Sequence, residues 1–173
     1  MSKADYPQEI WQKAKKIKLL LLDVDGVLTD GRLYFGPKEE LFKVFHVRDG
    51  HGIKMAQQSG LIVAFLSGRR SDAAFLRAKE LGVSHYYEGL RDKLSVLDNL
   101  ERSLNLKDDE IAAVGDDLVD LPLFTRVGLA VAVADAPPEV QSRAHWVTKA
   151  PGGQGAVREV CDLLLKAQGK WQL

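Results

Sequence analysis

The sequence predicts an α/β protein built on a mainly parallel sheet with helices on both faces. Three observations lead there. Short apolar runs of strand length alternate with longer segments of helical periodicity, which is the pattern of strands joined by crossover helices. Two of the runs, residues 19–22 and 61–66, are apolar at every position, as strands buried on both faces require. Several runs also end abruptly in Asp, Ser or Gly, and in such folds ligands collect beyond the carboxyl ends of the strands.

In chain order, residues 4–16 read as a short amphipathic helix and 17–22 as the central strand. Residues 32–45 hold two β-rich segments around Gly36-Pro37 and a polar cluster, a hairpin signal. This hairpin carries Leu33, Phe35, Leu41, Phe42, Val44 and Phe45, so it needs an apolar partner surface, on its own domain or on another subunit. Residues 46–52 read as a polar, glycine-rich loop leading into a helix that runs to about Ser59 and is closed by Gly60. After the strand at 61–66, Ser71 or Asp72 caps a helix ending at Leu81 and Gly82. Further strands are expected at 83–88, 111–114, 129–133 and 145–148. Helical segments are expected at 92–104, 118–125, 137–143 and 156–167.

The 173 residues suffice for one domain with a sizeable core and leave little room for two. The chain, 1–173, is therefore expected to be one unit with a hairpin insertion at about 32–45 and a glycine-rich tail from about 151. Lys+Arg and Asp+Glu both total 24, a zero net charge that favours neither a nucleic-acid nor an anionic-membrane partner. The lone Cys161 cannot form an intrachain disulfide and reads as a buried small hydrophobe. No signal peptide follows the polar N-terminus, so a cytoplasmic location is expected.

The organising stretch is Leu19-Leu20-Leu21-Leu22-Asp23-Val24-Asp25-Gly26. Asp is disfavoured inside strands, so Asp23 and Asp25 should stand where the strand opens into a loop. Residues i and i+2 share a face, so the two carboxylates converge. They repel unless one is protonated or a cation lies between them, and an oxygen-rich pair suits Mg2+.

The string Asp23-Val24-Asp25-Gly26-Val27-Leu28-Thr29-Asp30-Gly31 resembles the first motif of the haloacid-dehalogenase (HAD) phosphohydrolases. Ser67-Gly68, Lys93 and Gly115-Asp116-Asp117 resemble the second, third and fourth motifs, in order. Taken singly, Ser67 reads equally as a helix cap and Lys93 as a solvated helix residue; their order and context carry the resemblance. It implies a three-layer Rossmann-like fold with the hairpin in place of a cap domain. It also implies a catalytic set of Asp23 as nucleophile, Asp25 as general acid/base and Lys93 as the cation offsetting the gathered charge. Mg2+ would be held by Asp23, Asp116 and the backbone of Asp25, with Asp117 supporting Lys93 or the metal's outer shell. Ser67 and Gly68 would contact the phosphoryl group.

With no room for a large cap, the chain is similar to the minimal-cap subclass. Over about residues 15–165 it is similar to the family of 3-deoxy-D-manno-octulosonate (KDO) 8-phosphate phosphatases. The substrate this implies is a small sugar-acid phosphate, in lipopolysaccharide precursor biosynthesis. Arginine's planar fork suits the acid's carboxylate, and Arg69 and Arg77 fit that role. His46, Val47, Arg48, Asp49, Gly50 and Lys54 are expected to add contacts. The resemblance also implies a homotetramer formed through the hairpin, with a neighbouring subunit covering the site. Relatives acting on nine-carbon sialic-type acid 9-phosphates tend to be acidic where this chain has Arg69, which favours the eight-carbon substrate. The alternatives are such a nine-carbon phosphatase or a catalytically silent oligomerisation module.

Overall fold

The computed structural model describes residues 6–171. The first helix, expected over 4–16, is α1 (Gln8–Lys16), and positions 4 and 5 lie outside the described residues. It is followed by the central strand β1 (Leu19–Asp23), whose four leucines are buried. Next come the hairpin strands β2 (Tyr34–Phe35) and β3 (Glu40–Phe42), then helix α2 (Val47–Gln58). The expected loop over 46–52 is therefore corrected: only His46 precedes the helix, and Val47, Arg48, Asp49 and Gly50 form its first turn. Two glycines in a polar context read as a loop, yet Gly50 and Gly52 are buried against other helices. A Cβ on Gly52 would come within 2.9 Å of Arg158, so these glycines serve close packing.

The chain continues through β4 (Ile62–Leu66), α3 (Asp72–Leu81), β5 (His85–Tyr87) and α4 (Leu94–Leu104). Then follow β6 (Ile111–Gly115), α5 (Leu121–Phe124), β7 (Leu129–Ala132), α6 (Pro138–Gln141), β8 (Trp146–Val147) and α7 (Ala156–Ala167). Six strands form one sheet in the order β5-β4-β1-β6-β7-β8, every neighbour parallel. Helix α3 contacts α2, α2 contacts α7 and α7 contacts α1, while α4 contacts α5, giving the two helical layers around the sheet. Cys161 is fully buried in α7.

Local chemistry explains several boundaries. Ser71 caps α3, its side chain accepting from the amide of Ala74, and Gly82 ends that helix in the left-handed region. The expected helix over 118–125 is instead a 3-10 turn at Leu118–Asp120 running into α5. Asp49 is buried in α2, and its carboxylate accepts from the amides of Gly155 (3.2 Å) and Arg158 (2.7 Å) at the start of α7. It thereby satisfies amides that the first turn of α7 leaves open. Burial pushes its carboxyl above the usual range, against the lowering pull of those amides.

The glycine-rich segment at 152–155 packs against its own chain. The amide of Gly153 donates to the carbonyl of Val27, and that of Gly152 to Asp135. A Cβ on Gly152 would fall 1.7 Å from the carbonyl oxygen of Gly26. Backbone here lies directly against the loop that follows β1, and only glycine allows that approach.

The hairpin stands apart as a two-stranded sheet. Tyr34 and Phe42 stack with ring centroids 4.6 Å apart, and Phe45 packs against the core. Leu33, Phe35, Leu41, Phe42 and Val44 remain exposed.

Candidate active site

Sheet register assembles the site. Asp23 pairs with Leu66 of β4, so Ser67 and Gly68 follow immediately beside it. Leu22 pairs with Val114 of β6, which brings Gly115 and Asp116 to the other side. Beyond β1 the chain turns sharply: the carbonyl of Val24 accepts from the amides of Val27, Leu28 and Thr29. Thr29 Oγ1 accepts from the amides of Gly26 and Gly31 and so closes the turn. Gly26 sits at φ +94°, and a Cβ there would lie 2.0 Å from Asp116 Oδ2, so glycine both permits the turn and makes space for that carboxylate.

A cavity of about 220 Å³ opens at these strand ends, lined by Asp23, Asp25, Gly68, Arg69, Lys93 and Asp116 together with Leu90, Arg91, Asp117 and Val119. Larger hollows exist elsewhere, such as one of about 410 Å³ around His51, Met55 and Leu165, which no carboxylate lines. Lys93 lies just before α4, where the sequence reading has it in the first turn. Its ammonium donates to Asp23 Oδ1 and Asp120 Oδ1, both at 2.6 Å, with its side chain only 6% exposed. Burial alone would push the ammonium down, but the two carboxylates outweigh it and the net shift is upward.

The carboxylates crowd one another. Burial first, then the charges of Asp23 and Asp120, push Asp116 up to about 8. Burial also pushes Asp23 up to about 6, against the opposing attraction of Lys93. Oxygens of Asp23, Asp116 and Asp120 all lie within 4.8 Å of one another. That is a hard-donor cluster whose crowding a divalent cation would relieve, so magnesium fits these residues. Asp120 is already committed: its Oδ2 accepts from the amides of Asp116 (3.1 Å) and Asp117 (3.4 Å) and its Oδ1 from Lys93. Asp23 and Asp116 are left to face the cavity.

Sequence reasoning overlooked Asp120, which holds Lys93 in the place suggested for Asp117. Asp117 instead caps the following 3-10 turn through the amide of Leu118 (2.7 Å). The available signal was its position four residues after Asp116, on the face of the turn that returns to the strand end. Two hairpin residues, Glu40 and Lys43, were missed as well. Lys43 donates to Asp25 Oδ1 at 2.5 Å and to Glu40 at 3.1 Å, and Arg69 Nε stands 3.9 Å from Asp25 Oδ2. A lysine standing between the apolar Phe42 and Val44 was the signal.

Ser67 is buried, and its hydroxyl donates to the carbonyl of Arg69 within its own loop. The remaining expected substrate residues do not line the cavity. His46, Val47, Arg48, Asp49, Gly50 and Lys54 lie in or beside α2, with Val47, Arg48 and Lys54 exposed. Arg77 lies over the Phe45 ring, pairs with Glu80 at 2.8 Å and packs against Gly50. It borders a separate shallow hollow with Lys43, Phe45 and Val47.

With a carboxylate at the end of a central parallel strand, a buried lysine on it and a second acid from a neighbouring strand, the chain is a HAD-like hydrolase. The profile of haloacid dehalogenase-like hydrolases matches residues 89–159. The chain belongs to the 3-deoxy-D-manno-octulosonate 8-phosphate phosphatase family. It is 49% identical over 162 residues to that phosphatase of Escherichia coli (strain K12), covering 94% of this chain and 86% of the relative. The crystal structure of the Yersinia pestis phosphatase superposes with a TM-score of 0.92 at 48% identity, covering 94% of this chain and 88% of that one. The Moraxella catarrhalis phosphatase, solved with a magnesium ion, a phosphate ion and KDO, superposes with a TM-score of 0.91 at 42% identity, covering 95% and 94%.

Proposed function

We propose that this chain hydrolyses KDO 8-phosphate to KDO and inorganic phosphate with Mg2+ held by Asp23, Asp116 and the backbone carbonyl of Asp25. The observation that carries the chemistry is Asp23 at the end of β1, bound by buried Lys93 and crowded by Asp116. Asp23 attacks phosphorus, the sugar alkoxide departs and takes the proton of Asp25, and an aspartyl-phosphate forms on Asp23. Asp25 then removes a proton from water as it attacks that phosphorus, which frees phosphate and restores Asp23. Magnesium, when bound, supplies positive charge for the phosphoryl oxygens. Lys93 holds Asp23 in place and balances charge, and Arg69 at the cavity mouth receives the sugar-acid carboxylate.

The eight-carbon substrate is supported by Arg69 and by the family. The apolar side chains exposed on the hairpin support assembly into a homotetramer. In such an assembly the exposed Val47, Arg48 and Lys54, which lie outside their own chain's cavity, would serve the site of a neighbour. Among the described residues no helix is long and apolar enough to cross a membrane, and we place the enzyme in the cytoplasm.

Phosphate release from KDO 8-phosphate, a nine-carbon sialic-type acid 9-phosphate, arabinose 5-phosphate and p-nitrophenyl phosphate, with and without Mg2+, tests this reading. The expected result is metal-dependent turnover with kcat/KM for KDO 8-phosphate at least about 100-fold above the others. A preference for the nine-carbon acid would overturn the substrate, and no turnover at all would overturn the chemistry. Light scattering on the same preparation should give four chains per particle.

The raised carboxyls predict a pH dependence of metal binding. In the metal-free protein Asp23 and Asp116 hold protons, up to about 6 and about 8, that the unfolded chain has released near its ordinary carboxylate values. The folded state thus binds more protons than the unfolded one in that window, and these groups' contribution to stability falls as pH rises through it. Mg2+ needs both carboxylates ionised, so it competes with protons at low pH and relieves repulsion at high pH. The rise in Tm on adding saturating MgCl2 should be larger at about pH 8.5 than at about pH 5.5. An equal rise at both would remove Asp116 and Asp23 as the coupled ligands.

A further inference from the structure

We propose that Glu40 and Lys43 of the hairpin are positioning residues that aim the Asp25 carboxylate and the Arg69 guanidinium into the site. The proposal rests on the reading of Asp25 as general acid/base.

Lys43, one residue beyond the end of β3, is turned inward while its neighbours Phe42 and Val44 are exposed, and the Lys43 side chain is only 1% exposed. A buried ammonium is tolerated only when it is paired, and this one has two carboxylate partners, Asp25 and Glu40. The terminal torsion of an aspartate is soft, so a carboxyl plane is set by what it binds. Here Lys43 takes Oδ1 of Asp25 and Arg69 stands beside Oδ2, so a cation on each oxygen fixes that plane.

Glu40 completes the frame. Its Oε2 accepts from Lys43 at 3.1 Å and lies 3.5 Å from Arg69 Nη2. Its Oε1 accepts from the Ser71 hydroxyl at 2.7 Å, which ties the hairpin to the start of α3. The Phe35 ring lies 5.6 Å from the Arg69 guanidinium, a cation–π contact. Three hairpin residues therefore hold two groups of the site. A two-stranded ribbon is marginal on its own, and this polar frame is what seats it. Seating the hairpin and orienting the acid/base are one event, because the same ammonium does both.

The test uses leaving-group dependence. A sugar alkoxide needs the proton of Asp25 as the P–O bond breaks, whereas p-nitrophenolate leaves without one. Lys43→Met, Glu40→Gln and Asp25→Asn are compared in the full-length protein with Mg2+, reading kcat and KM on KDO 8-phosphate and the pre-steady-state burst of p-nitrophenol. Lys43→Met should lose about 10- to 100-fold in kcat on the sugar phosphate, a loss at least about tenfold greater than in the burst rate. KM should change little, and Lys43→Arg should recover most of the rate. Equal losses on both substrates, or none, would overturn the positioning role, since a structural defect strikes both. If Lys43→Met does not fold, Glu40→Gln carries the test with the same bias at a smaller size. If Asp25→Asn lacks the bias, the acid/base reading falls and takes the proposal with it; if Asp25→Asn shows it and Lys43→Met does not, the proposal alone falls.

Discussion

Asp23→Asn should abolish phosphate release, lowering kcat by about 10⁴-fold or more, while leaving the fold intact. The amide keeps the shape of the carboxylate but removes the anionic oxygen that attacks phosphorus. Because Asp23 is pushed up to about 6 by burial and crowding, the neutral amide also removes a strained charge. Its Tm in the absence of metal at neutral pH should therefore equal or exceed that of the parent protein. Two measurements decide the matter: turnover on the sugar phosphate, and a thermal scan without metal. Retained turnover would refute the aspartyl-phosphate route, and a collapsed Tm would mean that the ion pair with Lys93 is required for folding.

Lys93→Met should have the second-largest effect, and it should strike both activity and stability. The ammonium is the shared partner of Asp23 and Asp120, whose side chains are only 10% and 1% exposed. Removing it leaves two buried carboxylates without their cation, a defect that typically costs about 3–5 kcal/mol. The charge it supplies beside the phosphoryl group is worth on the order of 10²–10³ in kcat. The double variant Lys93→Met/Asp120→Asn should lose less stability than the sum of the single changes, because the second substitution removes one of the stranded charges. A thermodynamic cycle from denaturant unfolding checks this, and strict additivity would show that Asp120 and Lys93 do not act as a unit.

Magnesium modulates these outcomes. Loss of Lys93 leaves the cluster more negative, so part of the lost stability should return when the cation binds Asp23 and Asp116.

Much of this protein was legible without coordinates, and for a local reason. The leucine run, the Asp-Val-Asp-Gly break after it and the glycine that ends α3 each act over a handful of residues, so periodicity and turn chemistry reveal them. The order of strands ending in Asp23, Ser67 and Asp116 likewise follows from alternation, and the parallel register does the rest. What the sequence by itself determined is the α/β layering, the strand ends that meet and the identity of the central carboxylates.

Tertiary structure alone decided which partners those groups take. Lys93 selects Asp120 over Asp117 because the 3-10 turn at Leu118–Asp120 directs Asp120 back against Gly115, where a Cβ would lie 2.5 Å from its own. Asp49 serves the start of α7 because α2 and α7, more than 100 positions apart, pack together. Lys43 is buried at Asp25 because the hairpin folds over the strand ends. In each case the side chain's charge was visible in the sequence. Its direction was not, because that depends on how elements distant along the chain pack, and burial then forces each charge onto the nearest opposite one.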